Sequence, residues 1–243
     1  MTYRPHVTFM LSALFPNIVR DLPLFADIPY LERVALLQSG SLRRCPQGQM
    51  LFVHNDPVTH FYVILSGTMQ LFRETLGGHE KTVDILKAGQ TMCESEIMDS
   101  SCHAHRVNCV AVDNAVLMEF PAAWLKQAVR TNSALALNLL SSISQQAHLS
   151  EVEAEQQASM SAAQLVASFL QRLCVTYDFD PKGFVLPYNK SLIASRLGMA
   201  LETFSRTLAK LKEHGVTVDG THVVIDDLKH IDQYVSAASV RCS

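Results

Sequence analysis

Two clusters in this sequence have the residue types and spacing to do chemistry. The first is Glu202, Ser205 and Arg206 in "MALETFSRTLAKLKEHGV". Steps of three and four along a helix bring these side chains to nearly one face. An arginine there can donate two hydrogen bonds to guanine O6 and N7. A glutamate can accept from cytosine N4, and a serine can reach a neighbouring base or methyl group. Between Tyr188 and Lys212, the cations Lys190, Arg196, Arg206, Lys210 and Lys212 face a single acid, Glu202. Lys190, Ser191, Lys210 and Lys212 suit phosphate contacts, which fix register without reading sequence. Taken alone, Glu202 and Arg206 at i and i+4 would be only a surface ion pair worth a few tenths of a kcal/mol.

The second cluster is "CESEIMDSSCHAHRVNC", which gathers Cys93, Glu94, Glu96, Cys102, His103, His105 and Cys109. If this stretch ends in a strand, His103, His105 and Cys109 point to one face. Such a face could bind a metal or haem iron, and Cys93, Glu94, His103, His105 and Cys109 are the candidate effector residues. Equally, the segment could be a solvated loop with a small buried thiol. No standard structural-zinc spacing appears, so no metal site is expected. Redox sensing by Cys93, Cys102 or Cys109 is a further reading. The pair His103-x-His105 resembles that of metal-dependent cupins, which need a Glu soon after it. Here Arg106, Val107, Asn108 and Cys109 follow instead, and the acids precede. No Ser-His-Asp order, P-loop or dinucleotide fingerprint is present, so no enzyme is expected. The alternative to a nucleic-acid reader is a ligand- or metal-binding β-roll, cupin-like, without DNA contacts.

The elements that must position these clusters read as an α+β chain. Residues 40 to 120 hold short apolar runs separated by breakers such as Asn55-Asp56-Pro57, Ser66-Gly67, Gly77-Gly78 and Asp113-Asn114. That spacing predicts an antiparallel β-roll of the jelly-roll kind. Pro121 suits the first turn of a short helix. A longer helix follows, capped by Asn132 or Ser133. Its narrow stripe of Leu135, Leu139, Ile143, Gln146, Leu149 and Val152 suits a helix from a second copy. "AEQQASMSAAQ" reads as a hinge, "LVASFLQRLCVTY" as a helix, "DFDPKG" as a turn and "FVLPY" as a short strand. "SLIASRL", the turn Gly198-Met199-Ala200 and the opening stretch then form a helix-turn-helix, with Ala194, Leu197, Leu201 and Phe204 between its helices. "VTVDGTHVVIDD" completes it as a hairpin turning at Asp219-Gly220. The expected divisions are 1–125, a β-roll sensor domain; 126–159, a dimerisation helix; and 160–243, a winged helix-turn-helix.

The bulk numbers agree. The 243 residues are 48% hydrophobic and 18% charged, enough for real cores and against disorder. A net charge of −3 argues against a uniformly basic polyanion binder but not against a local patch. No apolar run reaches a membrane span, and "FMLSALF" is too short for a signal peptide. The six scattered cysteines, without a CxxC, read as reduced thiols, so the cytoplasm is expected.

"FYVILSGTMQLFRETLGGHEKTVDIL" and "LIASRLGMALETFSRTLAKLKEHGV" make the chain similar to the CRP/FNR family of bacterial transcription regulators along nearly its whole length. The pattern Glu202-Thr203-Phe204-Ser205-Arg206 resembles the FNR-type reader, and with no N-terminal cysteines it looks closest to the DNR branch. The resemblance implies a homodimer that binds double-stranded DNA at an inverted repeat of half-sites like TTGAT. It also implies activation of transcription and RNA polymerase as a partner. Cyclic-AMP-binding members resemble one another in a Gly-Glu pair followed by an Arg that holds the phosphate. Here Cys93 replaces that Gly, and the Arg and the residue after it fall on Ala104 and His105. Cyclic AMP is therefore not expected. Nor is an N-terminal iron–sulfur cluster, since no cysteine precedes Cys45. The DNR likeness makes haem, sensing NO or CO through a His or Cys ligand, a cofactor to consider.

Overall fold

The computed structural model describes residues 22–75, 80–176 and 183–236. Gly77-Gly78, "FMLSALF", Cys242 and "DFDPKG" up to Lys182 lie outside them. The chain divides into two compact units. The first carries most of the roll and runs to His148 without residues 80–82, which group with the second, formed by the chain from Leu149 onward.

In the first unit, helix α1 (Tyr30–Leu37) precedes strands β1 (Ser41–Cys45), β2 (Met50–Phe52), β3 (His60–Ser66), β4 (Thr68–Glu74), β5 (Glu80–Lys87) and β6 (Thr91–Met92). The short helix α2 (Glu94–Met98) and strands β7 (Asn108–Ala111) and β8 (Ala115–Pro121) complete the roll. Two sheets form, ordered β1-β8-β3-β6 and β2-β7-β4-β5. β3 pairs antiparallel with β8 from His60↔Pro121 to Ile64↔Leu117. Five consecutive buried residues in β3, Phe61 to Leu65, mark a strand covered on both faces. Phe61, Phe120 and Trp124 stack at one end of this core. The expected antiparallel roll is thus present.

Pro121 ends β8 and caps α3 (Ala122–Thr131), where its fixed φ suits entry into a helix. The long helix α4 (Ser133–Ser159) starts where Asn132 Oδ1 accepts from the Leu135 N–H at 2.9 Å. Its first turns correct the expected seam. Leu135 and Leu139 are fully buried in the roll's own core, and Ile143 packs against it. Leu135 and Leu139 are thus spent on the protomer's own core, while Ile143 stays half-buried and Gln146 and Leu149 exposed. Gln146, Leu149 and Val152, further along, are not in that core. Leu137 and Leu140 point the other way, each 64% exposed.

The expected hinge shrinks to Met160 and Ser161, because α4 runs on to Ser159 and α5 (Ala162–Thr176) begins at once. A reciprocal cap makes that restart possible: the Ser161 N–H donates to Gln164 Oε1 at 3.1 Å, and the Gln164 N–H donates back to Ser161 Oγ at 3.4 Å. The second unit continues with β9 (Phe184–Val185), α6 (Lys190–Arg196), α7 (Leu201–Leu211), β10 (Val216–Asp219), β11 (His222–Ile225) and α8 (Leu228–Ser236). Its sheet is ordered β10-β11-β9, so the hairpin gains a third strand. Among the described residues no helix is long and apolar enough to cross a membrane.

Candidate nucleic-acid interface

α6 is capped by Asn189, whose Oδ1 accepts from the Leu192 N–H at 2.8 Å. It ends at Leu197, and the chain reverses through Gly198 at φ +69°. A side chain there would meet no atom within 4 Å, so the need for glycine is conformational and not steric. The Met199 N–H donates to the Ala194 carbonyl at 3.0 Å and closes the turn. α7 then buries Phe204, Leu208 and Leu211 against Ile193, Ala194, Leu197, Val166 and Leu170. Leu201 departs from expectation: it is 42% exposed, at the open first turn of α7 and not between the helices.

With its apolar stripe spent on the core, α7 turns Glu202, Ser205, Arg206 and Lys210 outward, all exposed. Thr203 is half-buried beside Phe204. Arg206 folds back lightly, its Nε donating to the Glu202 carbonyl at 3.4 Å. Among the described residues no ion pair ties the Glu202 carboxylate to that guanidinium, so both charged ends remain presented. Ser191 and Lys212 are exposed and Lys190 is half-buried. Arg196 leaves the basic patch: its Nη2 lies 2.6 Å from Glu153 Oε2. The remaining cations, Lys190, Arg206, Lys210 and Lys212, still outnumber Glu202. Behind them, β10 and β11 turn at Asp219-Gly220 as a wing.

The second cluster resolves differently from expectation. β7 begins only at Asn108, so His103 and His105 precede the strand and share no face with Cys109. His103 is exposed, whereas His105 is buried. Cys109 is buried, its thiol 4.0 Å from Met92 Sδ. Glu94 is buried, and Thr91 Oγ1 donates to its carboxyl; burial raises that carboxyl's pKa. What does converge is Cys93, Glu96 and His105, whose ligand atoms all lie within 4.8 Å of one another. His105 Nδ1 is 2.9 Å from Glu96 Oε2 and 3.9 Å from Cys93 Sγ. The His105 ring lies flat on Phe52, with centroids 3.6 Å apart. Glu96 Oε1 accepts from the Arg106 N–H at 3.1 Å. Desolvation pushes the Glu96 carboxyl up, but the bonds from His105 and Arg106 outweigh it and hold it below its usual range. Burial pushes the Cys93 thiol well up. Glu96 was missed as a partner of the cysteine. The signal was Cys93-x-x-Glu96, an i, i+3 pair across the first turn of α2.

This trio is not a nucleophilic triad. A thiol, an imidazole and a carboxylate act in series only when the carboxylate holds one ring nitrogen and the thiol the other. Here both approach Nδ1. Cys45, Cys93, Cys102, Cys109 and Cys174 are all free thiols.

Comparison with known proteins assigns both units. Residues 42–132 match the family described as Cyclic nucleotide-binding domain, and residues 164–234 match the Crp-like helix-turn-helix domain. The chain is 27% identical to the Cyclic AMP receptor protein of Thermus thermophilus, over 80% of this chain and 87% of that one. It is 26% identical to the Anaerobic regulatory protein of Haemophilus influenzae, over 75% of this chain and 71% of that one. Among solved structures, a putative cAMP-binding regulatory protein from Silicibacter pomeroyi aligns at 28% identity and a TM-score of 0.57, covering 90% of this chain and 98% of that one. FixK2 from Bradyrhizobium japonicum shares the fold at a TM-score of 0.69 and 17% identity, over 80% of this chain and 96% of that one. A ligand-binding roll without DNA contacts is not favoured by these matches.

Proposed function

Because the chain belongs to the CRP/FNR family of transcription regulators, we propose that it acts as a homodimer that reads an inverted repeat of FNR-type half-sites and activates transcription with RNA polymerase in the cytoplasm. The observation that carries this reading is the outward face of α7. Glu202, Ser205 and Arg206 stand exposed together on a helix whose opposite face is locked into the core. Paired about a two-fold axis, two such helices would enter successive major grooves about 34 Å apart.

The dimer seam follows the exposed side of α4, leaving out Leu135 and Leu139, which face the roll. Leu137, Leu140, Ser144, Ala147, Glu151 and Ala154 repeat at alternating steps of three and four, and all are exposed. That is a heptad seam, with small residues that let two helices approach closely.

The signal enters at the roll and is not cyclic AMP; haem, through a His or Cys ligand, stays a cofactor of this reading. A cyclic phosphodiester needs a cation, but the place where the resemblance expects the phosphate-holding Arg is taken by Ala104. The nearby Arg106 is exposed and held by Asp99 at 2.8 Å.

The test is a mobility shift on an inverted-repeat duplex at two salt concentrations. Selective binding that falls steeply with salt is expected. Arg206→Ala should cost about 1–3 kcal/mol and relax preference at one base pair, whereas Lys210→Ala should weaken all sequences alike. Unchanged selectivity in Arg206→Ala would remove the assignment of Arg206 to a base.

A further inference from the structure

We propose that Cys93, Glu96 and His105 form a binding site for one divalent transition-metal ion of zinc-like character, with a fourth coordination position left open. The site deepens the reading of the roll as the sensor, yet its chemistry stands independently of DNA binding.

The distances carry the proposal. Donors bound tetrahedrally at zinc bond lengths sit about 3.5 Å from one another. Here Nδ1 lies 2.9 Å from the Glu96 oxygen and 3.9 Å from the Cys93 sulfur. No separation among the three donor atoms exceeds 4.8 Å. The three atoms therefore bracket a tetrahedral face, and shifts of side chains alone complete it. The donor types agree: thiolate, imidazole and carboxylate together suit zinc, cobalt(II) or iron(II) and not magnesium or calcium.

The surroundings hold each donor in place. Phe52 fixes the plane of His105, and the Arg106 N–H orients Glu96 through its other oxygen. The His105 backbone is pinned by two hydrogen bonds: its N–H donates to the Asp56 carbonyl at 2.8 Å, and its carbonyl accepts from the Asn55 N–H at 2.9 Å. Cys93 itself sits at φ +75°, a left-handed conformation that costs a non-glycine residue free energy. A residue kept in such a conformation at the mouth of a donor cluster is a functional candidate. On binding, the thiol proton leaves to solvent, and the ion takes the place of the hydrogen between Nδ1 and Glu96. That hydrogen moves to Nε2 of the neutral imidazole or, if Nε2 already carries one, to solvent. Glu94 does not complete the set, because its carboxyl is engaged by Thr91. With three protein donors, the ion's fourth position would fall to water or a small exogenous ligand, as in metal sites that keep three protein ligands. Because Cys93 and Glu96 belong to α2 and its cap while His105 lies in the loop before β7, the ion would clamp these two segments together.

The experiment uses the full chain, dialysed against a chelator and titrated with cobalt(II). A thiolate-to-cobalt charge-transfer band saturating at one ion per chain and displaced by zinc is expected. Cys93→Gly is the first variant, since glycine keeps the left-handed backbone while removing the thiolate. It should lose the band with its circular dichroism unchanged. Glu96→Gln should keep the thiolate band but weaken cobalt binding by more than about tenfold. Absence of a band in the wild type, or an undiminished band in Cys93→Gly, would overturn the site. A mobility shift on the same samples separates the two readings. Protein that binds DNA yet takes no cobalt refutes the metal site alone, and protein that takes cobalt yet ignores DNA refutes the regulator alone.

Discussion

The seam proposed on the exposed side of α4 gives the sharpest prediction. Leu137 and Leu140 are each 64% exposed in the protomer. Fully burying a leucine is worth roughly 1.5–3 kcal/mol, so covering the exposed two-thirds contributes about 1–2 kcal/mol per side chain. A two-fold axis counts each residue twice. Losing Leu140 should therefore remove about 2–4 kcal/mol per dimer, or about 30- to 700-fold in dissociation constant. Leu140→Glu also sets two carboxylates across the axis, which adds to the loss. Leu135→Ala is the contrasting change. Leu135 is fully buried in the roll, so its truncation should lower protomer stability by about 2–5 kcal/mol and leave the seam untouched. Sedimentation equilibrium reads the first effect and urea denaturation the second. If Leu140→Glu dimerised like wild type, or if Leu135→Ala dissociated without loss of protomer stability, the seam would lie on the inner stripe after all.

Two further changes should be readable in simple assays. Gly198→Ala should cost about 1–2 kcal/mol, because alanine must hold the left-handed turn between α6 and α7; an unchanged urea midpoint would show that the turn relaxes. Alkaline pH should destabilise the roll. Burial raises the Cys93 and Cys109 thiols from an ordinary 9.0 and pushes Tyr62 from 10.0 up to about 12. Groups raised on folding contribute stability that is complete below their unfolded values and is lost as pH climbs towards the folded ones. Denaturation midpoints should therefore fall as pH rises past 9.0, and a flat profile there would contradict the burial of all three.

The sequence was most legible where local rules act alone. The helix-turn-helix could be read because Gly198 and the α7 stripe each answer to a rule of short range. The same holds for the wing, where Asp219-Gly220 fixes the hairpin. The misreadings came from elements whose surroundings decide. The stripe of Leu135, Leu139 and Ile143 has the spacing of a seam, but helical periodicity reveals a buried face without revealing what covers it. The roll's own core takes Leu135 and Leu139 and leaves Ile143 half-buried. Leu201 has the right type and step for the α6–α7 contact, yet it sits one turn before the helices meet. Arg196 counts among the cations by position, but Glu153, 43 residues earlier, claims it.

The effector cluster shows a further limit. Placing His103 with His105 and Cys109 assumed that the strand begins early, and a start at Asn108 breaks that face apart. The grouping that does form joins α2 to the loop before β7. Its spacing of three and nine residues matches no standard ligand pattern, because it depends on the roll folding two segments together. Cys93 stands where the resemblance expects a glycine, and it keeps the glycine's left-handed backbone. A side chain added at that point must project from a conformation selected for having none. Here it carries a thiol towards an imidazole and a carboxylate, in the place where cyclic-nucleotide-binding relatives are expected to receive a phosphate. On the proposed reading, Cys93 in place of that glycine supplies a donor for a cation, while Ala104 stands where the resemblance expects the phosphate's Arg. A signal at this site should therefore be a cation or a ligand carried by one. On that argument, adding cyclic AMP should leave both the cobalt affinity and the duplex affinity of this chain unchanged, while zinc should shift the second. An effect of cyclic AMP on either would place a phosphate site in the roll that these residues do not provide.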